Sequence, residues 1–153
     1  MITYRSATWR DAERLTAMWT DMHVEICTRE DLRLEMSNEK NFFYKLLVRL
    51  ESPNWLIRVA EADSAIVGFV MGELHWPEYN DCYLLGRVHL LYVVPLMRGK
   101  GIHTELLRFG EAWAKERKAD DIEFISMYEP KMIRFYELLG FEPVQVMYRR
   151  KGV

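Results

Sequence analysis

Apolar and polar residues alternate with a period of two at the start of the chain. Ile2, Tyr4 and Ser6 interleave with Thr3, Arg5 and Ala7, which predicts a strand. Thr8 then stands as an N-cap with Asp11 at the position of a capping box, and the period lengthens to a helical one. Ala12, Leu15, Met18, Trp19, Met22 and Ile26 form its apolar face. A second helix is predicted from about Glu39 to Leu50 on Phe42, Phe43, Leu46, Leu47 and Leu50, and Ser52-Pro53-Asn54 breaks it. Between the two helices, Cys27 to Asn38 is charged and less periodic. Trp55 to Ala62 and Ala65 to Leu74 read as strands around a tight Asp63-Ser64 turn. His75 to Gly86, containing Pro77, Asn80 and Asp81, reads as a loop, and Arg87 to Val94 as a strand. Helical spacing returns from Ile102 to Lys118 on Ile102, Leu106, Phe109, Gly110 and Trp113, with basic residues closing the C-terminal end. Ile122 to Tyr128 reads as a strand. Pro130 opens a helix capped by Glu129, whose face is Met132, Phe135, Tyr136 and Leu139 and whose stop is Gly140. Val144, Val146 and Tyr148 alternate in a last strand.

Strands before, between and after helices place the chain in the α/β class, α+β in the looser sense, with no internal repeat and no low-complexity linker. The strand–helix–strand unit around residues 95–102 predicts a right-handed crossover between parallel strands. With 153 residues and 50% hydrophobic content, one domain spanning 1–153 with a substantial core is expected. The formal net charge of −2 and the lack of a polybasic run give no electrostatic reason for binding nucleic acid or an anionic membrane. Arg5, Arg10 and Asp11 interrupt the beginning of the chain where a signal peptide needs an apolar run, and no apolar segment approaches a membrane span, so a soluble cytoplasmic protein is expected. Cys27 and Cys82 lie far apart, without metal-ligand spacing, and read as ordinary thiols; no metal is expected.

The most informative stretch is Pro95-Leu96-Met97-Arg98-Gly99-Lys100-Gly101-Ile102, which joins the apolar strand ending at Val94 to an amphipathic helix. Glycines at 99 and 101 allow close approach of the backbone to a ligand, and the first turn of the helix offers free N–H groups at the positive end of its dipole. Such a junction suits an anion, most simply a phosphate. The spacing is neither that of a P-loop nor that of a dinucleotide fingerprint.

Arg98-Gly99-Lys100-Gly101-Ile102-His103 resembles the Arg/Gln-x-x-Gly-x-Gly/Ala signature of the GNAT N-acetyltransferase superfamily, with His103 in place of the final small residue. Phe135-Tyr136-Glu137-Leu138-Leu139-Gly140-Phe141 resembles that family's F-Y-x-x-x-G-F segment. Ile2 to Met22 resembles its opening strand and first helix, and Trp55 to Gly72 its central hairpin. The resemblance implies a mixed, mostly antiparallel sheet flanked by helices, with a parallel crossover at the cofactor site. It also implies acetyl-CoA as co-substrate. The pyrophosphate is then expected on the backbone of Arg98, Gly99, Lys100, Gly101, Ile102, His103 and Thr104, with Arg98 and Lys100 adding mobile positive charge. The pantetheine arm is expected beside Tyr92, Val93 and Val94, whose strand backbone suits its amides, with Met132 and Phe135 of the later helix completing the cofactor set. A His103 ring pointing outward would also donate to phosphate. Glu129 and Met132 stand where relatives often carry asparagine and alanine.

Transfer of an acetyl group to an amine needs a base for the ammonium, stabilisation of the thioester oxygen and a proton for the departing thiolate. By resemblance the attack is direct, so neither cysteine serves as nucleophile. Tyr136, the tyrosine of the F-Y segment, is the candidate acid, and a backbone N–H near Val93 the candidate oxyanion donor. His89 stands where many relatives carry a glutamate on the strand and is the candidate base; Glu73 and His75 are its rivals. The acceptor is expected to be a primary amine on a small molecule or peptide. The acidic and aromatic residues Glu25, Glu30, Asp31, Glu35, Trp76, Glu78, Tyr79 and Asp81 suit a cation, and equally suit a solvated surface. The alternative from another class is a non-catalytic acyl-CoA-binding regulatory module; a longer acyl group and a homodimer, the latter through residues such as Trp76 and Tyr79, also remain open.

Overall fold

The period-two opening forms strand β1 (Ile2–Ser6), and the Thr8–Asp11 signal leads through a single 3-10 turn, Trp9–Asp11, into helix α1 (Ala12–Glu30). The protein is seen here as a computed structural model that describes residues 1–30, 39–125 and 130–144. Helix α2 (Glu39–Glu51) is followed by strands β2 (Trp55–Ala62), β3 (Ala65–His75) and β4 (Leu85–Val93), then helix α3 (Ile102–Glu116), strand β5 (Asp121–Phe124) and helix α4 (Pro130–Leu138). Helix α1 continues past the point where apolar periodicity fades at Cys27, since residues such as Arg29 and Glu30 have good intrinsic helix propensity. Strand β4 begins at Leu85 rather than Arg87 because Leu85 and Gly86 pair with His75 and Leu74, which shortens the expected loop at both ends. Asp63 and Ser64 both take positive φ, 50° and 64°, as a two-residue hairpin turn between Ala62 and Ala65 requires. The expected strand over Ile122–Tyr128 is realised as β5, its last part lying outside the described residues together with most of the expected strand from Val144 to Tyr148.

The sheet order is β1-β2-β3-β4-β5, with antiparallel neighbours from β1 to β4 and a parallel β4–β5 pair bridged by α3. This is the mixed, mostly antiparallel arrangement that the family resemblance implies. Each face carries its own core. On one, Ile57, Val59, Phe69, Met71 and Tyr92 pack with Leu15, Met18 and Trp19 of α1 and Phe42 and Leu46 of α2. On the other, Leu56, Ala60, Val70, Val88 and Val93 pack with Ile102, Leu106, Trp113 and Ala114 of α3. Gly86 lets α3 sit this close, since a Cβ there would stand 2.7 Å from the Ala114 Cβ.

The entry to α1 is fixed by charge. Arg5 donates to both oxygens of Asp11 at 2.7 and 2.9 Å and to Glu61 at 2.8 and 3.0 Å, while the Thr8 N–H donates to Asp11 at 2.7 Å. These bonds, the one from Arg5 first, hold the buried Asp11 carboxyl below its usual range. A depressed folded-state value means that the contribution of Asp11 is complete above the unfolded carboxylate value of about 3.9 and is lost as pH falls through the folded value. Asp11→Asn is therefore expected to lower stability at neutral pH by on the order of 2 kcal/mol and to flatten the acid-side decline. Urea midpoints measured from neutral pH downward check this; an unchanged decline in the variant contradicts it.

Candidate active site

Strand β4 contains an irregularity that positions the first group of residues. Met71 pairs with Leu90, but the next residue of β3, Gly72, pairs with Val88, leaving His89 as an extra residue in β4. Val88 and Leu91 pack toward α3, whereas Leu90 and Tyr92 pack toward α1 and α2. His89 joins the latter side, where its ring stacks on Trp55 of β2 with centroids 5.8 Å apart and planes at 23°. Its Nε2 lies 2.8 Å from Oε1 of Glu73, and the two side chains are 29% and 28% exposed, open enough to be reached from outside. The Arg49 guanidinium of α2 sits over the Trp55 ring at 4.2 Å. Burial lowers the pKa of Arg49, and the neighbouring Glu73 carboxylate opposes that shift. The structure thus joins His89 and Glu73, which the sequence presents as rivals; His75 lies further along β3, opposite Leu85.

The second feature is a fork. The parallel β4–β5 ladder ends at Val88–Phe124, with the Ile125 N–H reaching Val88 O at 3.2 Å, while β4 continues to Val93 paired, among the described residues, with β3 alone. At the tip, the Val94 N–H bonds Val67 O at 2.9 Å on the β3 side, and Val93 O accepts from Arg98 Nε at 2.9 Å. The side chains of Tyr92 and Val93 are buried, so what these residues offer to the fork is backbone.

The third is the turn into α3. After a 3-10 turn at Pro95–Met97, Gly99 and Gly101 take φ of 77° and 78°, the left-handed region that favours glycine. Gly101 is the N-cap of α3 and its carbonyl accepts from the Glu105 N–H at 3.0 Å, so the amides of Ile102, His103 and Thr104 form the first turn and have no helical partner. A Cβ built on Gly99 or Gly101 meets nothing within 4 Å. Two left-handed glycines, a helix N-terminus and open space above them fit the diphosphate of CoA. The Ile102 side chain is in the core, and only its amide is available.

Two cradle side chains differ from expectation. Arg98 is not a mobile charge: its guanidinium donates to both oxygens of Glu25 at 2.7 and 2.6 Å and lies over Tyr92 at 5.6 Å, and the bond to Glu25 raises its pKa. It fastens the turn to α1. Glu25 is correspondingly engaged and is not an open acidic residue for an acceptor. The His103 ring turns toward α4. It stacks on Phe135 at 5.1 Å and meets Tyr136 edge-on at 6.3 Å, with Nε2 buried and without a hydrogen-bond partner among the described residues; burial, then the nearby Arg98, lowers its pKa. In place of a small residue, this ring ties α3 to α4.

That contact brings Tyr136 to the start of α3. Phe124 at the end of β5 stacks with Tyr136 at 5.7 Å and Phe141 meets it edge-on at 5.9 Å. Burial pushes the Tyr136 phenol up to about 12, so it keeps its proton at any ordinary pH. Met132 and Phe135 are half-buried on α4, and Lys100 is exposed, with Nζ 3.4 Å from Met97 Sδ. Trp76 and Tyr79 are exposed, as are Glu78 and Asp81; Asp31, Glu35, Glu129 and the side chains of Cys27 and Glu30 lie outside the described residues. Trp55 and Arg49 were not singled out by sequence, which carries no signal for a pairing made across α2 and β2. An open groove between α1 and α2, lined by residues that include Glu13, Thr16, Glu39 and Phe43, shares no residue with these three features. Among the described residues, no helix is long and apolar enough to cross a membrane.

Comparison with known proteins shows the family and the fold. The model of the Acetyltransferase (GNAT) family matches residues 12–141. An uncharacterized N-acetyltransferase of Methanocaldococcus jannaschii is 28% identical over 107 residues, which are 69% of this chain and 46% of that protein. An uncharacterized N-acetyltransferase of Archaeoglobus fulgidus is 33% identical over 98 residues, 63% of this chain and 65% of that protein. The matches span about half to two thirds of the length of these curated relatives. A crystal structure described as a predicted acetyltransferase with acetyl-CoA, from Clostridium acetobutylicum, shares the fold with a TM-score of 0.81 at 20% identity, covering 99% of this chain and 96% of that one.

Proposed function

The chain belongs to the acetyltransferase (GNAT) family, and from that premise we propose that it transfers the acetyl group of acetyl-CoA to a primary amine by direct attack. The observation that carries this reading is the continuity of the site: strand β4 leads from the His89–Glu73 pair, along the fork, into the Gly99–Gly101 cradle. When bound, acetyl-CoA supplies an activated acetyl carbon and a thiolate leaving group. The amides from Arg98 to Thr104 hold the diphosphate, and the edge of β4 beyond Val88 pairs with the pantetheine amides as an added strand would. The backbone of Val93, turned away from β3, is the donor to the thioester oxygen. His89 accepts the proton of the amine, and Tyr136, protonated through burial, gives its proton to the sulfur. Arg98 shapes the turn through Val93 and Glu25. The acceptor is a cationic amine, a reading supported by the Glu73 carboxylate, the Trp55 ring and the exposed Trp76, Glu78 and Tyr79.

A panel of amines incubated with protein and acetyl-CoA, followed by free thiol, tests the reaction: at least one amine is expected to release thiol in step with its own acetylation. Binding of acetyl-CoA with no amine-dependent thiol from a broad panel points instead to an acyl-CoA-binding module. Within the reaction, Tyr136→Phe deletes only the proton and keeps the ring. Turnover is expected to fall on the order of tenfold or more with acetyl-CoA affinity retained; unchanged turnover leaves Tyr136 as packing.

A further inference from the structure

We propose that Glu73 is a positioning residue that fixes the tautomer and orientation of His89, making Nδ1 the nitrogen that takes the proton from the amine. The inference deepens the reading of His89 as base and rests on it. Ionised Glu73 is acceptor-only, so the 2.8 Å contact from its Oε1 to His89 Nε2 requires a hydrogen on Nε2. In the neutral ring the lone pair is then on Nδ1. Ring rotation is limited on one side by Trp55, which sits directly opposite Glu73 in the β2–β3 ladder and is covered in turn by Arg49. The irregular step in β4 is what brings the ring to this side of the sheet.

The charged neighbours leave the pair intact. Arg87, directly opposite Glu73, is bonded to Glu123 of β5 at 3.0 and 3.1 Å. Arg49 of α2 acts on Glu73 through space, and His75 follows Glu73 on β3. From α1, Glu25 and Asp21 act on Tyr92, the neighbour of this pair along β4. The face of β4 toward α3 is covered by apolar residues. In the reaction, the amine nitrogen forms a bond to the acetyl carbon and its proton passes to Nδ1. The hydrogen on Nε2 stays in place, and the imidazolium rests against the Glu73 carboxylate. The carbon–sulfur bond breaks, the sulfur takes the Tyr136 proton, and the second proton of the original ammonium, lost from nitrogen as the amide forms, restores the Tyr136 phenol. No covalent bond to histidine forms.

Nitrogen NMR of histidine-labelled protein, with His89→Gln for assignment, reads the tautomer without reference to activity. The Nε2–H form is expected for His89 in the wild type, and a shift toward a mixed population in Glu73→Gln. Glu73→Gln also removes the charge that favours the imidazolium. The rising limb of kcat against pH is therefore expected to move to lower pH, with kcat down on the order of tenfold and KM for acetyl-CoA little changed. Glu73→Asp, which keeps the charge at a longer reach, is expected to restore the limb toward the wild-type position and serves if Glu73→Gln folds poorly. An Nδ1–H tautomer in the wild type, or a Glu73→Gln variant with unchanged tautomer and limb, overturns the proposal. If His89→Gln keeps the wild-type profile while the NMR shows a Glu73-dependent Nε2–H tautomer, the assignment of the base fails and the orienting contact stands.

Discussion

Gly101→Asp is expected to abolish the thermal stabilisation that acetyl-CoA confers on the wild-type protein. A ligand at a hundred times its dissociation constant stabilises the folded state by about 2.7 kcal/mol, because only the folded chain offers the cradle. At position 101 a side chain projects into space that is empty within 4 Å, where the diphosphate is proposed to lie, so the new carboxylate confronts like charge. The φ of 78° costs a non-glycine residue about 1–3 kcal/mol, while a carboxylate at a helix N-terminus returns part of that through the dipole, so the variant is expected to fold. Gly101→Ala carries the same backbone strain without the charge and separates the two effects. It is expected to keep a measurable shift with acetyl-CoA. A folded Gly101→Asp protein stabilised as much as the wild type removes the diphosphate from this turn.

His89→Gln is expected to lower kcat by about a hundredfold to ten-thousandfold, the usual range for a lost general base. The size of the drop matters less than its pH dependence. With His89 as base, the wild-type rate rises with pH as the imidazole loses its proton, and the glutamine variant loses that limb because an amide does not titrate. Acetyl-CoA affinity is expected to stay nearly unchanged, since the cradle lies beyond the end of β4. His89→Glu is expected to retain partial activity with the limb displaced toward acid. A glutamine variant that keeps both its rate and its limb excludes His89 as base and leaves Glu73 or a backbone-held water.

The helices were legible in the sequence because each buries one face and so writes its period into the chain, and the central strands because turn signals bound their apolar runs. The Asp63-Ser64 hairpin, the start of α3 after Gly101 and the proline opening α4 all sit where local signals place them. The site was legible in part, and the unread portion has a physical reason. Strand β4 is apolar on both faces, so the slip at His89 leaves no break in an alternation that does not exist there. Glu73 and His89 lie on different strands, and only the observed register shows that they touch. Glu25 and Arg98 stand 73 residues apart in sequence, and a basic residue beside two glycines reads equally well as a phosphate ligand. His103 looked like an intrusion into the cradle because sequence does not reveal that Phe135 waits to stack with it.

In the proposed reaction, one continuous path along β4 seats CoA on the Gly99–Gly101 turn and delivers its thioester between His89 and Tyr136. A crystal structure of the protein with acetyl-CoA tests this most directly. The expected result has the diphosphate on the amides of residues 98–104, the pantetheine along the open edge of β4, and the sulfur within hydrogen-bonding reach of the Tyr136 hydroxyl. A diphosphate bound away from residues 98–104, or a thioester remote from both His89 and Tyr136, contradicts it.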